Sequence, residues 1–286
     1  VVASPLEVGI VLGRDHARRM VVIAVDFDGH LVDGAFDGEV DATGAAIATE
    51  VGLLGPDGIV VEGADLPSED ADIAAAVDGA MLAKFRGGGQ ACTAANRFYV
   101  HADVAEEFTT RLAAQVAGRS VGRGQDDATE IGPLINERAV TRVTGLVDDA
   151  VAGGARVVVR AELPDLGGYF FPPTVLADVA PDARVVQEEI FAPVAPIVTW
   201  TDETNLLRLV NESEMGLAGY LYAGDLKRAL QLGERIEVGM LGVNRGLVSD
   251  PAAPFGGVKQ SGLGREGSRE GMEEYQETQY FSIDWN

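Results

Sequence analysis

Short β-branched runs alternate with segments of helical periodicity along most of this 286-residue chain. Of all the features of the sequence, this alternation restricts the possible fold classes most. Strands that are separated by helices form a largely parallel sheet with helices packed on it. The pattern therefore predicts an α/β fold. The predicted strands are Arg19–Phe27, Gly58–Val61, Asn96–His101, Ala155–Arg160, Ala218–Gly224 and Gly239–Asn244.

The first predicted helix has Ser68 as its N-terminal cap, and Glu69 and Asp70 lie in its first turn. Its apolar stripe is Ile73, Val77, Met81 and Phe85, and it ends at the glycines that begin at position 87. Further helices are predicted at Val104–Ala117, Glu137–Val151, Thr204–Ser213 and Asp225–Ile236.

Composition excludes several classes of partner. A formal net charge of −23 and a pI near 4.4 give a surface that repels nucleic-acid phosphates and anionic lipids. With one cysteine, no intramolecular disulfide can form, and nothing indicates an oxidising compartment. No apolar run reaches the roughly 18 residues of a membrane span, and the first residues lack a secretion signal, so we expect a cytoplasmic protein.

The single cysteine, Cys92, follows Gly87–Gly89 and the end of a predicted helix. A substrate can approach a thiol closely in such a turn, and nearby backbone N–H groups would favour both a thiolate and an oxyanion. The alternative is that Cys92 is a small buried hydrophobic residue. The sequence predicts no metal site.

The segment around Cys92, "KFRGGGQACTAANRFYVH", resembles the catalytic-cysteine segment of the aldehyde dehydrogenase superfamily. Further motifs follow in the family's order, and the resemblance extends from Ile59 to the C-terminus, with the succinate-semialdehyde dehydrogenases as the most similar branch. These motifs are "EIGPLIN" at Glu130–Asn136, "FFPPTVL" at Phe170–Leu176, "QEEIFAPVAPIV" at Gln187–Val198, "GLAGYLYAGD" at Gly216–Asp225 and "PFGGVKQSGLGREG" at Pro254–Gly267.

The resemblance implies a catalytic-domain-like α/β fold and an aldehyde oxidation in which Cys92 is the nucleophile. Cys92 would form a thiohemiacetal with an aldehyde, hydride would leave to NAD or NADP, and water would hydrolyse the thioester. Glu189 matches the carboxylate that holds the nicotinamide ribose hydroxyls, and Phe191 matches the aromatic residue beside it. The alternative for Glu188 and Glu189 is a solvated acidic turn.

Two further positions match contacts to the substrate carboxylate in the semialdehyde branch, Arg86 and Ser249. The alternative for Arg86 is a surface cation at the end of a helix, where the dipole favours positive charge. The general base of the family falls on Glu50, in "TEVGLLGPDGIVV", with a surface carboxylate as the alternative. When the register is counted back from the following helix, the base position falls on Gly58.

The resemblance also implies three regions. Residues 1–58 would be a divergent segment, a remnant of the cofactor domain, since most of the dinucleotide-binding domain is absent. Residues 59–270 would form the catalytic domain, and residues 271–286 a strand that joins a second copy in a homo-oligomer. An alternating strand at a chain end is an unpaired edge, which favours such pairing. Activity of this chain alone would then be impaired, and family members usually carry Asn where Gly87 stands.

Two other functions remain open. Val21–Gly34 resembles the first motif of haloacid-dehalogenase-type phosphatases, in which Asp26 would attack phosphorus and Asp28 would act as acid and base. His30 replaces the usual Thr, and a solvated acidic turn is the alternative. The other possibility is a non-catalytic lobe that assembles with a complete aldehyde dehydrogenase.

Overall fold

The computed structural model describes residues 57–61 (backbone), 72–163 and 165–285. The described part is built around a seven-stranded sheet in the order β3-β4-β5-β2-β1-β7-β8. All its neighbouring pairs are parallel except β3 with β4. The strands are β1 Asp57–Val61, β2 Ala95–His101, β3 Arg156–Arg160, β4 Thr174–Ala177, β5 Val194–Trp200, β6 Met215–Gly216, β7 Ala218–Tyr222, β8 Met240–Val243 and β9 Val258–Lys259.

Seven α-helices and one short 3₁₀ turn, Arg86–Gly89, accompany these strands in the described residues. Helix formation follows local capping: the side chain of Asp72 accepts a hydrogen bond from the Ala75 amide at 3.1 Å, and Asn136 accepts one from Ala139 at 2.9 Å. The helices are α1 Ile73–Phe85, α2 Ala102–Ala117, α3 Glu137–Ala152, α4 Arg184–Gln187, α5 Glu203–Asn211, α6 Leu226–Gly233 and α7 Ser268–Glu273.

The central strands are buried on both faces. On β2, Phe98 and Val100 belong to the apolar cluster that includes α1 and α2, whereas Tyr99 belongs to the cluster that includes α3, α5 and α6. Tyr220 and Leu221 on β7 divide between the same two clusters. Successive side chains of a strand point to opposite faces, so helices cover both sides of the sheet.

The α/β fold with a largely parallel sheet, predicted from the sequence, is confirmed. The predicted start of the first helix is wrong, because α1 begins at Ile73 and its cap is Asp72. Ser68 and the strand predicted at Arg19–Phe27 lie outside the described residues. Two central-sheet strands, β4 and β5, were not predicted.

The described residues up to Glu274 belong to one compact unit, and those from Tyr275 onward do not belong to it. Residues 274–285 hold neither helix nor strand, so the strand predicted at the C-terminus is not formed within this chain. Pairing of this tail with a second copy stays a prediction, as do the domain limits at 58 and 270. Within the described residues, no helix combines the length and the apolar character needed to cross a bilayer.

Candidate active site

The loop that carries Cys92 begins with an abrupt end of α1. Gly87, Gly88 and Gly89 have φ values of 59°, 66° and 74°, in the left-handed region that residues with a side chain rarely adopt. A second turn follows, in which the Ala94 amide donates to the carbonyl of Ala91 at 2.9 Å. Cys92 lies inside this second turn and is partly exposed.

Side-chain hydrogen bonds fasten the Cys92 loop to its surroundings. The Gln90 side chain donates to the Pro133 carbonyl at 3.2 Å and accepts from the Ile135 amide at 3.1 Å. The hydroxyl of Tyr220, on β7, donates to the Thr93 carbonyl at 2.9 Å. Hydrogen bonds therefore hold the loop on both sides of Cys92. A thiol in a fixed position is suited to react with a bound substrate.

A second loop carries Glu189, and two buried residues of β2 hold it. The Asn96 side chain donates to the Glu188 carbonyl at 2.9 Å and accepts from the Ile190 amide at 2.8 Å. Arg97 donates to the Val186 carbonyl at 2.8 Å. Both side chains are almost fully buried, so these bonds satisfy backbone groups that water cannot reach.

A third support comes from α3, where Arg142 donates to the carbonyls of Glu189 and Ile190. The loop also holds strain, because Phe191 has a φ of 49°. Such a backbone conformation is unusual for a bulky residue and is typical of functional sites. Phe191 is 40% exposed.

The two loops meet because they precede neighbouring strands. The Cys92 loop leads into β2 and the Glu189 loop leads into β5, and these strands pair in parallel. Their amino ends therefore lie at the same edge of the sheet. Gly89 packs so closely on the second loop that a Cβ there would lie 2.4 Å from the Ala192 carbonyl oxygen.

Between the loops lies a narrow pocket that places Cys92 and Glu189 together. Its lining is Lys84, Gly89, Ala91, Cys92, Ala94, Asn96, Glu189 and Phe191. Burial raises the pKa of the Glu189 carboxyl, while the cations of Arg142 and Lys84 oppose that rise. Burial lowers the pKa of the Lys84 ammonium from 10.5 to about 7, and Glu189 opposes that shift. The pocket thus holds a thiol, a carboxyl and an amine.

The structure brings three of the predicted site residues together and places two others elsewhere. Cys92, Glu189 and Phe191 share the pocket. Arg86 is exposed and lines a separate cavity of about 370 Å³, together with Met81 and Phe85.

Ser249 is exposed and lines neither of these cavities. Glu50 and Asp26 lie outside the described residues, so the general base and the phosphatase hypothesis stay predictions.

The sequence interpretation missed Lys84, Asn96 and Arg142. Lys84 and Asn96 stand within the same eighteen-residue segment as Cys92, which was the available signal for them. Arg142 lies on the exposed side of α3, and nothing in its local sequence indicates a contact with a loop 47 residues away.

Comparison with known proteins identifies the family of this chain. Residues 66–281 match the aldehyde dehydrogenase family. The chain is 54% identical over 215 residues to a succinate-semialdehyde dehydrogenase of Paenarthrobacter nicotinovorans, covering 75% of this chain and 48% of that protein. It is 46% identical over 215 residues to the NADP(+) succinate-semialdehyde dehydrogenase of Escherichia coli strain K12, covering 75% and 45%.

Among solved structures, succinate-semialdehyde dehydrogenase from Burkholderia pseudomallei superposes with a TM-score of 0.73 at 44% identity, covering 82% of this chain and 49% of that one. The chain has the α/β fold of these proteins and belongs to the aldehyde dehydrogenase family. It spans about half the length of the curated relatives that it matches.

Proposed function

We propose that this chain takes part in the NAD(P)-dependent oxidation of an acid-bearing aldehyde, such as succinate semialdehyde, to the carboxylic acid. The observation that carries the proposal is the common pocket of Cys92 and Glu189 at the amino ends of β2 and β5. A nucleophile and a ribose-binding carboxylate must lie close together for a thiol-bound aldehyde to be oxidised. Relatives named for succinate semialdehyde support the substrate class.

In this proposal the Cys92 thiolate attacks the aldehyde carbon and forms a thiohemiacetal. NAD(P)+, when bound, supplies the hydride acceptor. Cys92 then carries a thioester, which water hydrolyses to release the acid and regenerate the thiol. Glu50 would act as the base for that water.

The residues present fit the nicotinamide end of NAD(P)+. A partly buried carboxylate such as Glu189 accepts hydrogen bonds from the two hydroxyls of a ribose, since an ionised carboxylate only accepts. The exposed ring of Phe191 offers apolar surface next to it. These side chains belong to a loop that Asn96 and Arg142 hold in place, so little ordering is required on binding.

Glu189→Gln is expected to weaken NAD(P)+ binding about tenfold or more, because hydrogen bonds to a charged group contribute about 1.5–3 kcal/mol. Isothermal calorimetry or cofactor fluorescence measures the affinity. Glu188→Gln is the matched control, since Glu188 pairs with Arg184 at 2.7 Å and does not line the pocket. Equal affinities for wild type and Glu189→Gln would contradict the role of Glu189. If the wild-type protein does not bind NAD(P)+, the alternative hypothesis of a non-catalytic lobe is favoured.

Arg86 is proposed to receive the carboxylate of the substrate, with Ser249 as a second contact. Arg86 is exposed, and within the described residues its guanidinium makes no hydrogen bond or ion pair. A planar guanidinium binds a carboxylate through two parallel hydrogen bonds, which a lysine cannot reproduce. An aldehyde with a distal acid should therefore be preferred over an uncharged one.

This preference can be measured through protection of Cys92, which requires no cofactor. Succinate semialdehyde and butanal should each slow alkylation of Cys92 by iodoacetamide, because the thiohemiacetal blocks the thiol. Arg86→Lys is expected to raise the half-protecting concentration of succinate semialdehyde about tenfold and to leave that of butanal unchanged. Arg123→Lys, at an exposed position outside both cavities, is the control. If Arg86→Lys raised the half-protecting concentrations of both aldehydes equally, Arg86 would have a structural role and would not bind the substrate carboxylate.

A homo-oligomer and a cytoplasmic location also remain proposals. The tail after α7 exposes several large apolar side chains, which favours a contact with a second copy. These are Tyr275, Tyr280, Phe281, Ile283 and Trp285.

A further inference from the structure

Lys84 is buried in a way that the other two lysines are not. Lys227 is exposed, and Lys259 pairs with Glu237 at 2.7 Å and donates to the Asn211 carbonyl at 2.7 Å. Lys84 is 1% exposed. It lines the pocket that also holds Cys92 and Glu189.

A buried ammonium is unfavourable unless anions lie near it. The pocket that Lys84 lines contains two groups that become anions, the thiol of Cys92 and the carboxyl of Glu189. The Glu189 carboxylate raises the pKa of the Lys84 ammonium, and the Lys84 ammonium lowers the pKa of the Glu189 carboxyl, each against the larger effect of burial. Among the described residues, Arg142 on α3 also acts on Glu189 and lowers the pKa of its carboxyl.

We propose that Lys84 is a positioning residue whose ammonium stabilises the thiolate of Cys92 and retains the Glu189 carboxylate in the same pocket. The proposal rests on the proposed function in one respect, that Cys92 is the nucleophile. Near neutral pH, part of the Lys84 population is an uncharged amine, which takes the proton of the thiol. The S–H bond breaks and an N–H bond forms, so the pair becomes thiolate and ammonium without any other reactant.

The arrangement supports this role because each charge offsets the cost of burying the other. An ammonium nearby lowers the pKa of a thiol, because it stabilises the thiolate. Two anions nearby raise the pKa of a buried ammonium, because they stabilise the charge that burial disfavours. The backbone on either side of Glu189 is held by hydrogen bonds with the side chains of Asn96 and Arg142. Lys84 and Cys92 therefore line one pocket beside a loop whose backbone is fixed.

The rate of Cys92 alkylation by iodoacetamide, followed from pH 5 to 10, tests the proposal without substrate or cofactor. In the native wild type the midpoint should lie below the value of about 8.5 for a free thiol. Lys84→Met preserves the length of the side chain and removes the charge. Its midpoint is expected to rise by about one unit or more, which means about tenfold less thiolate at pH 7.

Two further variants complete the experiment. Lys227→Met removes an exposed lysine and should leave the midpoint unchanged, while Lys84→Arg keeps the charge and should keep the midpoint low. A wild-type midpoint at or above about 8.5 would overturn the proposal even if both Lys84 variants failed to fold. An identical midpoint in wild type and folded Lys84→Met would overturn it as well.

The two proposals fail in distinguishable ways. An unchanged pH profile in Lys84→Met counts against Lys84 alone. Labelling that occurs only after denaturation counts against Cys92 as an accessible nucleophile, and the role of Lys84 then falls with the proposed function.

Discussion

Cys92→Ala is expected to reduce hydrolysis of p-nitrophenyl acetate at least ~10²-fold, because removing the nucleophile of a covalent mechanism removes most of its rate. The Cys92 thiolate attacks the ester carbonyl, p-nitrophenolate leaves and an acetyl thioester remains. Water then releases acetate. Absorbance of p-nitrophenolate measures the first step, and a burst approaching one equivalent per chain is expected if hydrolysis of the thioester is slower.

Mass spectrometry of the wild type after the burst should place the acetyl group on Cys92. Thr93→Ser is a matched control, since Thr93 is buried beside the thiol and its backbone carbonyl, not its side chain, accepts the bond from Tyr220. Hydrolysis that persists at more than half of the wild-type rate in Cys92→Ala would assign the esterase activity to another group.

NAD(P)H production from succinate semialdehyde by this 286-residue polypeptide is expected to be slow beside its ester hydrolysis. The match to curated relatives covers 48% and 45% of their lengths. Glu189 would hold one ribose, but a cofactor displaced by about 1 Å can lose ~10²-fold in rate. Ester hydrolysis needs no cofactor and is not subject to that loss. Robust NAD(P)H production dependent on Cys92 would show that residues outside the described part build a complete cofactor site.

Local sequence signals were sufficient for most helices and for the strands with uninterrupted β-branched runs. Strand β3, Arg156–Arg160, and helix α3, Glu137–Ala152, were both predicted from such patterns. Strand β5 was missed although it lies centrally, between β2 and β4. Pro193 directly precedes this strand and Pro196 lies within it, and a proline normally argues against a central strand because it cannot donate a backbone hydrogen bond to its neighbour.

The candidate site could be predicted only in part for a related reason. Cys92 and Glu189 were found through motif resemblance, since 97 residues separate them and no local pattern links them. Their proximity depends on the parallel pairing of β2 with β5, and β5 was not recognised. The bonds from Asn96 to Glu188 and Ile190 depend on the same pairing, so the loop's support could not be predicted either.

Lys84 shows how tertiary packing overrides a local rule. A lysine in the last turn of a helix is ordinarily a solvated cation that interacts with the helix dipole. In α1 the last turn is enclosed, with Ala83, Lys84 and Phe85 all buried. The glycine turn folds the chain back over the end of the helix, which places the amine inside the pocket instead of in water.

The three consecutive glycines before Cys92 differ in how much space they leave for a side chain. All three have a positive φ, so an alanine at any of them would carry a left-handed cost of about 1–2 kcal/mol. At Gly87 a Cβ would meet nothing within 4 Å, so that cost stands alone. At Gly89 a Cβ would also lie 2.4 Å from the Ala192 oxygen and 2.7 Å from its carbonyl carbon. These are backbone atoms of the Glu189 loop, and they cannot move without straining it.

Gly89→Ala is therefore expected to lower the free energy of unfolding by about 3 kcal/mol or more, and Gly87→Ala by only about 1–2 kcal/mol. Urea unfolding followed by circular dichroism measures both. Gly87→Asn should cost less than Gly87→Ala, since asparagine tolerates the left-handed region. The Gly89 variant should also lose Cys92-dependent ester hydrolysis under native conditions, because relief of the clash separates the two loops. Equal costs for Gly87→Ala and Gly89→Ala would mean that the Glu189 loop yields freely, and that the contact between Gly89 and Ala192 does not set the distance between thiol and carboxylate.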